Sequence, residues 1–491
     1  MYDIALCLAT LTFVVVCFWY ARSGYFSVYH PFTLYLAFHG FLFVFRPIVA
    51  RALDFRFVYL LYEFQPTEAD KTTALLVATV GMLSFAFFSF RHGDVAMRFN
   101  ADRVSMVERQ KLVVPFLLAA AICFPIGFYS LISSWNDSTS DMTMASMVVD
   151  KTTRIAVNAQ GNGYFKEAQL MLASCGAILA WLFRFRLLAV MPLATFVVMR
   201  AGTGGRGPFV AGAAALGLLW LYDRRQRLPS PRILLGVVLV IAAFNVVGDD
   251  RGRSIRQSFG SDTTAEKRHD PSVAMRPLEG MDFANLEYLE YIVYTVPQRT
   301  HTYSYFTEEL MLFTEPVPRA LWPGKPIGAP IKMFNLFDYG NPVGMTSSLP
   351  GNGWKGAGWT GVLFYCGLWG YVLGWIYRKF VTGPQTAFQI IAYITLLSSL
   401  IVAFRDGALV TVARQNIFFM TPILLWLLFA RWYGVRSAPE VRRRMAVQAR
   451  LDSPALPQQP AFGLPPAVAR RRAALAAART GATQTAPHSP G

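Results

Sequence analysis

Cations set in glycine- and proline-rich backbone are the clearest chemical signal in this chain. Arg200 and Arg206 bracket Ala201-Gly202-Thr203-Gly204-Gly205. Arg319 and Lys325 stand in Pro318-Arg319-Ala320-Leu321-Trp322-Pro323-Gly324-Lys325-Pro326. Arg405-Asp406-Gly407 is followed by Arg414-Gln415-Asn416. A guanidinium holds phosphate oxygens with a planar fork of donors, and glycine lets backbone N–H groups approach the same anion. Such a set suits an anion, whose charge fixed cations stabilise well in a poorly solvated site. Deprotonating a hydroxyl needs a carboxylate or imidazole in reach. Glu309 ranks first for that role, then Asp406, with Glu308 and His301 as further candidates. Asp406 ranks second because Arg405 is beside it and would pair with it. A plainer reading stands next to each loop: arginines snorkelling to lipid headgroups around 200–208, and a structural ion pair of Asp406 with Arg405 or Arg414.

The elements that must position these groups are apolar spans. The chain of 491 residues is 54% hydrophobic and 14% aromatic, with mean hydropathy +0.36. That is too apolar for a soluble protein of this length. Spans approaching the ~20 residues needed to cross a bilayer recur at about 4–21, 31–50, 72–90, 112–134, 168–183, 187–200, 207–222, 232–248, 358–377, 386–404 and 409–430. The expected fold is thus an all-α integral membrane protein with about eleven transmembrane helices. Its organisation is eight spans in 1–248, one large loop in 249–357, three spans in 358–432, and a disordered basic tail in 433–491. The first span has no basic start and no small-residue cleavage site, and another span follows at once, so it is not a cleavable signal.

The Lys and Arg bias orients these spans. With the tail and its arginines in the cytoplasm, alternation puts Arg22, Arg91, Arg98, Arg103, Arg109, Lys111, Arg184, Arg186, Arg224, Arg225, Arg227, Arg232, Arg378 and Lys379 inside as well. The long loop, with thirteen acidic against eleven basic residues, then faces out. The net charge of +17 is mainly this topology signal rather than a nucleic-acid footprint, because no basic stripe lies on a soluble domain. The five cysteines all fall within spans and read as apolar packing residues. There is no phosphate-binding Walker loop, no H-E-x-x-H and no paired C-x-x-C, so neither nucleotide-driven transport nor a zinc site is indicated. Asp249-Asp250 reads as a solvated pair at a membrane boundary; no metal or cofactor is expected.

Within the loop, Phe283, Leu286, Leu289, Val293 and Val296 predict an amphipathic helix closed by Pro297. Tyr288, Tyr291 and Tyr294 form a second stripe, read as an interfacial belt or as faces for sugar rings. Residues 316–330 form a proline-framed loop that fixes Arg319, Trp322 and Lys325. The run 351–359 re-enters the membrane with glycines that free its backbone to approach a ligand.

Together, Arg200 with Gly204-Gly205-Arg206-Gly207, the run 318–326, the Gly- and Trp-rich re-entry, and Arg405-Asp406-Gly407 with Arg414-Gln415 resemble the Wzy-type oligosaccharide repeat-unit polymerases of O-antigen and exopolysaccharide synthesis. The resemblance covers roughly 200–430. It implies a GT-C-like fold, metal-independent joining of undecaprenyl-diphosphate-linked oligosaccharides at the periplasmic face of the bacterial inner membrane, and a Wzz-type chain-length partner. On it, Arg206, Arg319 and Arg405 are first choices for the diphosphate, with Lys325, Arg200 and Arg414 next; Trp322 and Trp354 would stack on glycan. An O-antigen ligase is the alternative, which would draw its base from His269 or His301. A flippase is less favoured, because the charges gather toward one face and no paired halves are seen.

Overall fold

Three glycines on one helix face make some of the closest helix packing in the molecule. A computed structural model describes residues 1–99, 106–139, 147–149, 156–158, 167–202, 206–231, 233, 278–280, 283–317, 321–322, 324–326, 328–340 and 346–435. All of these belong to one unit, Met1–Val435; the second unit, Arg436–Gly491, which contains most of the expected disordered tail, lies outside the described residues. Helices run as α1 (Tyr2–Arg22), α2 (Pro31–His39), α3 (Arg46–Leu53), α4 (Phe57–Leu61), α5 (Glu68–Gly93) and α6 (Met106–Thr139). They continue as α7 (Leu170–Leu182), α8 (Leu187–Gly202), α9 (Arg206–Asp223), α10 (Asn285–Thr295) and α11 (Met311–Thr314). The last three are α12 (Ser348–Thr382), α13 (Ala387–Asp406) and α14 (Leu409–Trp432). One short hairpin, Met147–Val149 against Ala156–Asn158, is the strand content of the described residues.

Among the described residues, seven helices are long and apolar enough to cross a membrane: α1, α2 continued through α3, α5, α6 over Arg109–Asn136, α12, α13 and α14. The chain is therefore a helical, multi-pass membrane protein. These seven coincide with the expected first four and last three spans. The expected fifth, sixth and seventh are the shorter apolar helices Leu170–Leu182, Leu187–Arg200 and Val210–Asp223. The expected eighth, 232–248, lies almost wholly outside the described residues.

The glycines that set the packing are Gly367, Gly370 and Gly374, on one face of α12. A Cβ on Gly370 would stand 2.4 Å from Phe85 O, and one on Gly374 2.7 Å from Ser89 O. Helices in lipid gain by such close backbone approach, since burying apolar surface from lipid gives little. The Ser84 hydroxyl adds a 2.7 Å bond to Leu363 O across the same seam.

α12 is two helices joined at a break. Ala357 (φ −162°, ψ 36°) and Gly358 (φ 59°, ψ −137°) interrupt it, leaving a half-helix over residues 348–356. All nine residues of that half are buried. A Cβ on Gly361 would meet Gly353 O at 2.1 Å, so the half-helix folds back against its own continuation. This corrects the reading of 351–359 as irregular backbone open to a ligand: its glycines serve helix packing.

α10 lies where expected, but it is not amphipathic: Asn285 through Val293 are all buried. Tyr291 is fully buried and donates to Leu336 O at 2.6 Å, with Tyr288 stacked beside it at 6.2 Å. Neither an interfacial belt nor a sugar platform describes them. The two acids of α10 are held inside the protein, Glu287 by Arg46 and Glu290 by the Tyr59 hydroxyl. Arg46, from the start of α3, forms a buried ion pair with Glu287 and donates from Nε to Leu278 O at 3.0 Å.

The polar groups gather at two ends. At one, Val28 N bonds Arg227 O, Gln385 Nε2 bonds Arg98 O at 2.7 Å, and Arg378 meets Asp94 at 3.3 Å. At the other, Arg51 pairs with Asp3, Tyr59 donates to Glu290, and α10 and the half-helix pack against the α13–α14 turn.

Candidate functional site

The Arg405-Asp406-Gly407 turn is held from three sides. Asn285 Nδ2, at the first turn of α10, donates to Arg405 O at 3.1 Å. Asn352, from the half-helix, donates to Asp406 O at 3.3 Å. Tyr365 Oη lies 2.6 Å from Gly407 O. Gly407 takes φ +71° to end α13, and a Cβ there would stand 2.2 Å from Ser348 O. Only glycine fits both the left-handed conformation and that approach. The sequence motif is thus a helix terminator wedged under the half-helix, which fixes where Arg405 and Asp406 leave the backbone.

Arg414 lies about 7.5 Å along α14 from its first residue, at 1.5 Å per residue. Its Nη1 meets Glu315 Oε1 at 2.7 Å and its Nη2 meets Glu167 Oε1 at 3.4 Å. Arg414 Nε and Glu315 Oε2 are buried without a partner among the described residues. Glu167 also acts electrostatically on Arg200. Arg405 and Arg414 both act on the Asp406 carboxylate, which forms no hydrogen bond among the described residues. Lys325 Nζ turns back onto Glu315 O at 2.8 Å and Val317 O at 3.1 Å. The structure therefore brings Arg200, Arg405, Arg414 and Lys325 to one neighbourhood from α8, α13, α14 and the loop. Arg414, one of two partners the plainer reading offered Asp406, pairs instead with Glu315 and Glu167, neither of which the sequence singled out.

The carboxylates separate into different roles. Glu309 Oε1 faces Tyr365 Oη at 2.8 Å, and its Oε2 accepts from Leu409 N at 3.1 Å, capping α14. Burial pushes the Glu309 carboxyl above the usual range, against hydrogen bonding from Tyr365. Glu308 pairs with Lys355, a buried lysine of the half-helix that the sequence reading passed over. His301 is exposed, and its backbone N–H bonds Pro297 O at 2.8 Å. Trp354 is buried, with its indole N–H on Val296 O at 2.8 Å and its ring edge-on to Trp359 at 5.2 Å. It has no face open to a glycan, which corrects its assignment as a stacking residue. Trp322 is exposed. The Arg206 side chain, Arg319 and His269 lie outside the described residues, as does Asp249-Asp250.

Behind the site, Glu290 is buried and accepts from Tyr59 Oη at 2.6 Å. Burial, and then the charge of Glu287, push its carboxyl from 4.5 up to about 8. An acid that binds its proton more tightly when folded adds stability that is complete below its unfolded pKa and lost as pH rises through its folded one. Apparent melting temperature in detergent is therefore expected to fall as pH rises from 4.5 to about 8. Glu290→Gln should flatten that slope; an unchanged slope would place the titration elsewhere.

No family model, curated protein or solved structure matches the chain.

Proposed function

We propose that the chain is a membrane glycosyltransferase that polymerises undecaprenyl-diphosphate-linked oligosaccharide repeat units at the periplasmic face of a bacterial inner membrane. The observation that carries this reading is the gathering of Arg200, Arg405, Arg414 and Lys325 beside Asp406 at one polar end of the helices. In the reaction, an acceptor sugar hydroxyl gives its proton to a carboxylate and its oxygen attacks the donor's anomeric carbon. The bond from that carbon to the diphosphate breaks, and undecaprenyl diphosphate leaves. Arg414, with an uncommitted Nε and a weak 3.4 Å contact to Glu167, has donors to give the departing phosphates. Asp406 now precedes Glu309 as the base, because both Glu309 oxygens are tied to the protein. Arg206 starts α9 at the same end by alternation, and Arg319 belongs to the same loop; both remain proposed diphosphate ligands. Eleven spans follow if the three shorter helices and 232–248 also cross, and a GT-C-like arrangement and a Wzz-type partner belong to this reading.

Two measurements test it. A reporter active only outside the cytoplasm should work when fused within 260–275 and fail after Arg444; the reverse would put the site on the wrong face. A deletion strain should keep single repeat units at its surface and lack long chains. A bare surface with long lipid-linked chains would replace the polymerase by a ligase, and normal chains in both fractions would exclude either.

A further inference from the structure

The described residues of 305–333 are turned inside out for a loop standing in water. Two of the segment's described carboxylates face inward, Glu309 capping α14 and Glu315 pairing with Arg414, while Glu308 pairs with the buried Lys355 and keeps its side chain 45% exposed. Lys325 bends back onto carbonyl oxygens of its own loop. Its large apolar side chains face outward. Phe313 is 74% exposed and Leu321 79%, and Tyr305, Trp322, Ile331 and Met333 are exposed as well. Among the described residues of this segment, the exposed charges are Lys332 and the Glu308 carboxylate, and the latter is paired to Lys355. A lone lysine can sit at a headgroup with its stem in the apolar layer. Soluble surfaces rarely gather this much exposed apolar side chain in so short a stretch.

What covers this surface is indicated by its neighbours. Phe306 stacks on Tyr365 at 5.7 Å and meets Phe364 at 6.0 Å, and Phe364 belongs to the exposed apolar face of α12. α11 packs on α14, whose Ile417 and Leu424 are exposed along the same span. The apolar side of the loop thus continues the bands that these helices present to lipid. Irregular backbone is excluded from the hydrocarbon centre, because its N–H and C=O groups need water or protein. It is tolerated at headgroup depth.

We infer that the described residues of 305–333 lie at the bilayer interface, with Phe313, Leu321, Trp322 and Ile331 sunk among lipid headgroups and upper acyl chains. The occupant of this surface is phospholipid. The assignment stands independently of the proposed reaction, and it makes Trp322 a membrane anchor in place of a glycan platform.

The test is photocrosslinking in the full chain, reconstituted in phosphatidylethanolamine–phosphatidylglycerol vesicles. Benzoylphenylalanine replaces Phe313, Leu321 or Ile331, singly, with Phe364 as the lipid-facing reference. These positions are exposed, so the substitutions should leave folding intact. Irradiation and mass spectrometry should find phospholipid adducts at all three loop positions, in yields comparable to Phe364. Adducts to a second copy of the chain would overturn the inference in favour of a self-association surface. No adduct at the three positions while Phe364 labels lipid would overturn it in favour of a water-exposed loop. Neither outcome bears on glycan polymerisation, which is read separately from the deletion strain.

Discussion

Arg414→Ala is expected to abolish long-chain polymer while the protein still inserts. Removing one preorganised donor from developing charge slows catalysis by about 10²–10³, enough to erase a polymer ladder. Arg414→Lys should rescue poorly, because a single ammonium replaces a fork. A structural role must be separated from this. Arg414 also neutralises Glu315 and Glu167, so its loss leaves two partly buried carboxylates facing each other's neighbourhood. The triple change Arg414→Met, Glu315→Gln, Glu167→Gln removes that conflict. If Arg414 binds diphosphate, the triple variant should regain wild-type thermal stability in detergent and still make no polymer. If it regains polymer, Arg414 is a strut and the diphosphate is held elsewhere, with Arg206 and Arg319 next in line.

The parts legible in the sequence are those that depend on neighbours along the chain. Apolar run length placed all seven long helices, and the three- and four-residue recurrence from Phe283 to Val296 placed α10. Arg405-Asp406-Gly407 stood out as a charged run between the last two spans, while the left-handed helix end at Gly407 became visible only in the fold. What could not be read is which face of each element would be covered. Nothing local marks Glu287 and Glu290 as buried, because Arg46 and Tyr59, which hold them, come from more than 200 residues away. Trp354 read as a free aromatic because its partners, Val296 and the far side of the α12 break, are joined only by folding. The glycines from Gly351 to Gly361 gave the right composition and the wrong use. Glycine freedom serves close helix packing as readily as ligand approach, and only the positions of Gly353 and Gly361 against each other decide between them. Glu315 and Glu167 had no sequence signal that distinguishes them from other loop acids.

The largest stability effect is expected at the Arg46–Glu287 pair. Both side chains are buried, and Arg46 makes the pair, a bond to Leu278 O, and a contact over the Phe55 ring at 5.7 Å. Desolvating two charges offsets most of the attraction they gain, so the pair itself adds little. Breaking it is different: the remaining charge is buried with no counterpart, which costs about 3–5 kcal/mol. Arg46→Met and Glu287→Leu should each lower the thermal midpoint in detergent sharply and expose α10 to proteolysis. The double variant replaces the pair with apolar volume and should recover most of the loss. The single variants should also lose polymer, through position alone. α10 carries Asn285, whose amide holds Arg405 O and Thr346 O at 3.1 Å. When α10 leaves its seat, the α13–α14 turn loses one of its three supports, and Arg405 and Asp406 lose their fixed placement. Activity should therefore track α10 protection across the series rather than charge at position 287. Single variants as stable as wild type would show that the pair is solvated; a double variant as weak as the singles would show that Arg46's other contacts, not the pair, seat the helix.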